Sequence, residues 1–333
     1  MASKEPIRDD DALRHVADKV PPAPGGTLAE FVEHLHSTGQ PAILAADGRE
    51  AWVPGVTGEM WRFPLHRTTL PADEIVPQLL RIKGIKIVSH FLEPDEHHPA
   101  NCFHYVASDP EYSLASLSSN TRSKTRRGLR HFTIRLTSWE ELVEKGFPAM
   151  VDTEDRHGYA RPAPDTLERL AEKRRNSPFH ELWGAWDGDQ LAAWVEWVRV
   201  EDWALIGLAC SRTDSLKKYP NNALIYAATR HFLVQQACSY VSYGISSVQA
   251  HSDTLVSLHR FKLQMRYEPI PMHRHFIPAP HLRPLLQWRA CSWLWEQAAR
   301  ILPQVAALRK VAGMSRLLSG REKRPLAWAE GLD

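Results

Sequence analysis

The residue types best able to do chemistry gather in a few stretches of this chain. Arg122, Lys124, Arg126, Arg127 and Arg130 place five cations within nine residues. Such a cluster either grips phosphates through paired N–H forks or lies as a solvated basic face. Lys217 and Lys218 stand just before Tyr219, Pro220, Asn221 and Asn222. Asn221 or Asn222 is predicted to cap a helix running to about residue 237, and the free N–H groups of a helix start attract anions. Arg260 and Lys262 could hold a further phosphate or form a structural ion pair. Glu196 sits among Trp194, Val195, Trp197 and Val198. On a strand that carboxylate is either buried, with a raised pKa and the reactivity of a base, or turned to solvent. Tyr226 could give a proton to a leaving group, although a helix tyrosine more often packs. Asp253 follows His251 and either caps the last predicted helix or supplies another carboxylate.

Other chemistries find little support. His97 and His98 lie beside Glu93, Asp95 and Glu96. Metal ligands converge from fixed elements, whereas these crowd one proline-flanked loop, so a solvated loop is expected and no metal. The chain contains no Gly-x-Ser-x-Gly elbow, Walker loop or dinucleotide fingerprint. With 333 residues, 43% hydrophobic and 24% charged, it can fill a core and form two domains. A net charge of +2 is too small to argue for nucleic acid from bulk charge. Cys102, Cys210, Cys238 and Cys291 form no close pair. The first residues hold no signal-peptide core, and no apolar run reaches 18 residues. A cytoplasmic protein without a spanning segment is expected.

Among the elements that carry these residues, 203–210 read as a buried strand. A polar loop leads from it into the helix beginning at Asn221 or Asn222. Residues 240–245 form a second strand, 251–262 a helix and 272–278 a further strand. Before them, 180–186 and 191–200 flank an Asp-Gly turn and read as a hairpin. The basic cluster belongs to a helix over 118–130. A strand over 131–136 follows, then a helix over 139–150 capped by Ser138, and another over 166–175. Toward the start, a Pro/Gly linker at 20–26 precedes a helix with Leu28, Phe31, Val32 and Leu35 on one face. Strands or extended pieces are predicted at 41–48, 51–58, 60–64, 84–91 and 102–106, with a short helix at 73–80. The tail holds helices over 285–302 and 305–318. Its basic residues could meet a membrane surface or pack on the chain itself.

From residue 114 onward the order is helix, strand, helices, hairpin, strand, helix, strand, helix, strand. With the stretches 118–127, 218–226, 243–246 and 257–262, it resembles the GNAT superfamily of acyl-CoA N-acyltransferases. More narrowly, it resembles the FemAB-like branch with its CelD-type acetyltransferases. The resemblance implies an α/β (α+β) fold with a mixed central sheet flanked by helices. It allows the smaller N-terminal α/β part to be a degenerate second GNAT copy. The expected units are a lead (1–26), this N-terminal part (27–112), the acyltransferase domain (113–280) and a basic helical tail (281–333).

The implied reaction moves an acyl group from acyl-CoA or another acyl thioester to an amine acceptor, with no tightly bound cofactor. The family's glycine-rich pyrophosphate loop is missing here. An aminoacyl-tRNA donor, as in FemAB-like ligases, is therefore the alternative, and a non-catalytic binding module is a second one. On this footing Glu196, Tyr226 and Asp253 are the catalytic candidates. Lys217, Lys218, Asn221, Asn222, Arg260 and Lys262 are the donor-binding candidates. Arg122, Lys124, Arg126, Arg127 and Arg130 would contact an anionic donor or tRNA. A backbone N–H of the strand at 206–211 would polarise the acyl carbonyl.

Overall fold

A computed structural model describes residues 23–55, 58–71, 73–247, 253–302 and 304–321. The chain enters through α1 (Leu28–Ser37), started by a reciprocal Thr27–Glu30 capping box. Its Leu28, Phe31, Val32 and Leu35 face inward, at the spacing of one helix side. Then come β1 (Ile43–Leu44), β2 (Ala51–Pro54), β3 (Glu59–Phe63), α2 (Ile75–Leu79), β4 (Ile87–Leu92) and β5 (Cys102–Ala107). The second half holds α3 (Ser119–His131), β6 (Thr133–Leu136), α4 (Trp139–Lys145), α5 (Phe147–His157) and α6 (Thr166–Arg174). It continues with β7 (His180–Asp187), β8 (Gln190–Val200), β9 (Trp203–Ser211), α7 (Pro220–Arg230), β10 (Tyr240–Ser247), α8 (Asp253–Gln264) and β11 (Glu268–Pro278). Three helices close the described chain: α9 (Arg283–Gln287), α10 (Arg289–Ile301) and α11 (Ala306–Leu318).

Among the described residues all the strands join one mixed sheet in the order β1-β2-β3-β4-β11-β5-β10-β9-β8-β7-β6. Most neighbours are antiparallel; β3 with β4 and β9 with β10 are parallel. Strand β11 stitches the halves together. Its residues 268–272 pair with β5 and 273–278 with β4. Strand β5, early in sequence, therefore lies between β10 and β11, deep in the later half. Strands β7 and β8 are covered on both faces, so they read as near-continuous apolar runs. On one face α3 and α7 close a core that includes Trp183, Trp197, Ala223, Tyr226 and Phe232. On the other, α4, α5 and α6 cover Leu182, Trp186 and Trp194.

Several predicted elements are corrected. The strand over 41–48 shrinks to Ile43–Leu44, and that over 51–58 ends at Pro54. The helix over 139–150 divides at Gly146, where Phe147 and Pro148 start a new one. The tail helix over 285–302 breaks at Trp288, whose extended backbone separates α9 from α10. Neither asparagine caps α7. Tyr219 takes the cap position with φ 63°, and Pro220 opens the first turn. Proline suits that place because it has no N–H to leave unsatisfied. The helix then closes on a wider turn over His231–Gln235. No described helix is long and apolar enough to cross a membrane.

Candidate active site

Strands β9 and β10 pair for three residues, Trp203 with Tyr240, Ala204 with Val241 and Leu205 with Ser242. Beyond that point β10 stays paired with β5 alone, shifting register after Ser242 to match Ile245 with His104 and Ser246 with Phe103. A wedge opens between the parting strands. On the far side of β9 the register with β8 jumps from Val195–Ala209 to Trp197–Ile206. Gly207 and Leu208 thus stand opposite the single residue Glu196, which makes a bulge. Gly207, Leu208 and Ala209 are exposed in a strand whose other residues are buried, apart from half-buried Ile206. A Cβ at Gly207 would come within 3.0 Å of the Glu196 carboxylate, so glycine lets the bulge settle over it.

The wedge is the inner end of a cleft of about 1080 Å³. Strand β5 contributes Tyr105, α5 gives Arg156 and His157, α7 gives Asn221, and β10 gives Tyr243 and Ser246. Helix α8 gives His259 and Lys262, three apart and so on one helix face. Among its described lining residues none is Asp or Glu. The cleft is cationic.

Lys262 is only 2% exposed. Its Nζ donates to Ser246 Oγ at 2.9 Å and lies 4.1 Å from the Tyr105 ring centre and 5.0 Å from that of Tyr243. Burial pulls its pKa down to about 7. The Tyr105 hydroxyl meets His259 Nδ1 at 2.5 Å, linking β5 to the same helix face. Burial likewise holds His259 below the usual histidine range, with Lys262 and Arg260 adding to it. Arg156 donates to the Ser211 carbonyl at 2.9 Å, to Ser211 Oγ at 2.9 Å and to Thr213 Oγ1 at 2.8 Å. It therefore fastens the end of β9. Asn221 Nδ2 donates to Ser211 Oγ at 3.2 Å, tying α7 to the same point.

The basic helix lies beside this start of α7. Thr121, Thr125 and Gly128 form its buried seam. A Cβ at Gly128 would meet the Tyr219 carbonyl oxygen at 2.5 Å and Ala223 Cβ at 2.9 Å, so only glycine permits the approach. Arg127 covers the Tyr219 ring at 4.9 Å. Arg126, Arg127 and Arg130 are exposed, whereas Arg122 and Lys124 are half-buried.

The other sequence candidates scatter. Lys217 is exposed, and Lys218 is engaged with Asp187 at 2.9 Å. Asn222 is buried, with Nδ2 3.7 Å from Met265 Sδ. Arg260 is exposed and outside the cleft lining. Tyr226 is wholly buried, its ring 5.7 Å from that of Tyr112, and also outside the lining. Glu196 turns behind β9, where Oε1 accepts from Arg174 Nε at 2.9 Å with His180 Nε2 at 3.8 Å. Burial raises its pKa, and the Arg174 charge works against that rise. Asp253 is the first residue of α8, and its side chain lies outside the described residues. In the histidine loop, His98 Nδ1 lies 3.2 Å from Asp95, and its ring is 5.1 Å from that of His273. Among the described residues no three His, Cys, Asp or Glu are placed to share a metal ion.

Of the sequence candidates, Lys262 and Asn221 line the cleft. Tyr105, Arg156, Tyr243, Ser246 and His259 were not among the site candidates, although Tyr243, Ser246 and His259 lie in the stretches that carry the resemblance. Tyr105 comes from a strand far away in the chain, and no local pattern marks it. His259 carried a usable signal, its spacing of three from Lys262.

No protein-family model and no curated protein matches the sequence. Among solved structures the chain is similar to FemX, with 10% identity and a TM-score of 0.54 over 78% of this chain and 93% of that one. It is also similar to L-PGS from Bacillus licheniformis, with 10% identity and a TM-score of 0.45 over 92% and 99%. A GCN5-related N-acetyltransferase from Kribbella flavida gives 11% and 0.43 over 77% and 96%. At these identities likeness speaks for fold alone, and FemX carries it. The parallel strands that part beside a bulge, the helix between them and the FemX likeness give this chain a GNAT fold of the FemAB-like kind.

Proposed function

We propose that this protein transfers an aminoacyl group from the ester end of a charged tRNA to an amine. The observation that carries the proposal is the cationic cleft between β9 and β10, with the basic helix α3 at its α7 end. A polyanionic donor suits that arrangement, because exposed arginines can follow a phosphate backbone while the acylated end enters the cleft. The start of α7 offers little to a coenzyme pyrophosphate. Pro220 lacks an N–H, the Ala223 N–H is directed to the Tyr219 carbonyl at 3.3 Å, and α3 packs against that turn.

In the reaction the amine nitrogen attacks the ester carbonyl carbon. A new N–C bond forms, the C–O bond to the ribose breaks, and the ribose oxygen leaves with a proton. Lys262, whose Nζ lies in the cleft lining beside Ser246, is the proposed carrier of that proton. Its pKa of about 7 leaves part of it neutral near neutral pH, the range in which a proton carrier works best. Backbone N–H groups of the bulge at Gly207 and Leu208 are suited to stabilising the oxygen of the tetrahedral intermediate.

A thioester donor is the second reading. It is favoured by the cleft's size and by Arg156 and Lys262 within it. Thermal shift and transfer assays with charged tRNA, acetyl-CoA and longer acyl-CoAs separate the two. Stabilisation and amide formation with charged tRNA, absent with every thioester, is the expected result. Transfer from a thioester alone would replace the first reading by the second. No transfer and no stabilisation by any donor would favour a non-catalytic binding module.

A further inference from the structure

The tail carries a feature that the cleft does not use. Among the described residues twelve large apolar side chains are exposed. Seven of them fall between 285 and 305: Leu285, Trp288, Trp293, Leu294, Ile301, Leu302 and Val305. That concentration exceeds the scattered apolar exposure normal for a surface.

The segment is firmly held from its other side. Leu286 and Met314 pack on Ile87 of β4, and Ser315 Oγ donates to the Leu286 carbonyl at 2.7 Å. Trp295 Nε1 donates to the Leu285 carbonyl at 3.0 Å. Glu296 faces Arg316 and Arg321 of the neighbouring segment at 3.9 and 3.7 Å. At 100° per residue, Trp293, Leu294 and Ile301 share one arc of α10, opposite buried Ser292. Exposed Arg289 and Arg300 line the edge of that arc nearest Trp293.

We propose that this outer face of α9 and α10 seats the protein on an anionic lipid surface. Charge selects the occupant. Residues 281–321 carry seven Lys and Arg against the single acid Glu296, which faces two of those arginines. Tryptophans beside arginines match the boundary of a bilayer, where an indole ring sits at headgroup level and a guanidinium reaches lipid phosphates. A helix lying in the plane needs an apolar arc of this kind and no spanning length. The seat is independent of which donor enters the cleft.

Flotation of the full chain with phosphatidylglycerol-rich vesicles and with pure phosphatidylcholine vesicles tests the proposal. Binding to the anionic vesicles and much weaker binding to the neutral ones is expected. Trp293→Ser with Ile301→Ser should lower the anionic-vesicle partition coefficient roughly tenfold or more. Arg289→Glu with Arg300→Glu should abolish the preference for anionic lipid. These side chains point outward, so melting temperatures should hold and certify the fold. Failure to bind either vesicle would overturn the proposal. So would a concentration-dependent dimer dispersed by the Trp293/Ile301 variant, which would make this face a contact between copies.

Discussion

The Lys262 ammonium lies 4.1 Å from the centre of the Tyr105 ring, although 157 positions separate them in sequence. Helix α8 brings the lysine and β5 brings the ring. Pairing of β5 with β10 and β11 makes the meeting possible. The aromatic face accepts the cation without neutralising it, and no Asp or Glu stands among the described lining residues.

Lys262→Met should therefore separate stability from activity. The folded-state pKa is about 7, against 10.5 for a free lysine. Above about 10.5 the amine is neutral folded and unfolded, and its burial costs nothing through protonation. As pH falls the unfolded chain takes the proton first, and the penalty is complete below about 7. It amounts to order 3–5 kcal/mol. The methionine variant should be the more stable near neutral pH, with the difference fading as pH rises, in urea melts across that range. Its kcat/KM for transfer should fall by about 10²–10⁴. In the wild type kcat/KM should rise as pH climbs through about 7, when the neutral amine forms. A variant with full activity would remove Lys262 from the reaction.

The seam between α3 and α7 is equally exposed to test. Gly128→Ala would push a methyl into the Tyr219 carbonyl and the Ala223 side chain. Backbone cannot swing aside as a flexible side chain can. A loss of about 1–3 kcal/mol is expected from overpacking, measured by chemical denaturation. The displaced α7 start should also weaken donor binding beyond the stability loss.

Arg126→Ala, Arg127→Ala and Arg130→Ala should weaken tRNA binding in a salt-dependent way. Each lost phosphate contact should reduce the slope of log affinity against log salt by about 0.7–0.9. The side chains of Arg126 and Arg130 are exposed, so melting should change little. Arg127→Ala also removes the cover over Tyr219, and it should cost a few tenths of a kcal/mol to about 1 kcal/mol more. Unchanged salt slopes would place the polyanion elsewhere.

How far the sequence reveals this molecule depends on the reach of each interaction. The capping boxes at Thr27 and Ser138 and the Asp-Gly turn after β7 are local, and short patterns mark them. The order of strands and helices from α3 onward was legible for the same reason, and it carried the GNAT likeness. Lys262 was legible as a cation on the last predicted helix before the closing strand. Its buried, aromatic setting was not, because Tyr105 reaches it only through the sheet. The Asn221 cap was misjudged because Tyr219 adopts a left-handed backbone, a conformation that bulky residues rarely take. The break at Trp288 was missed because the apolar spacing runs on through it.

Glu196 gives the sharpest contrast between position and role. Its carboxylate lies beneath the Gly207 bulge, yet it faces Arg174 and is turned away from the cleft. Glu196→Gln keeps the shape and removes the charge. Arg174, about one-fifth exposed, then loses its partner, but the raised carboxyl pKa means that the fold already disfavours the charged form, so the two effects oppose and stability should change by less than about 1–2 kcal/mol. Screening at the exposed side of Arg174 reduces the cost of leaving it unpaired. The carboxylate supports the bulge from behind, so the shape of the pH–rate profile should survive while kcat falls severalfold. If Glu196 instead serves as the base, the ascending limb of that profile should vanish in the glutamine variant. Measuring kcat/KM across pH for Glu196→Gln and Lys262→Met side by side assigns the limb to one residue, and the placement of Lys262 in the cleft predicts that only the lysine variant loses it.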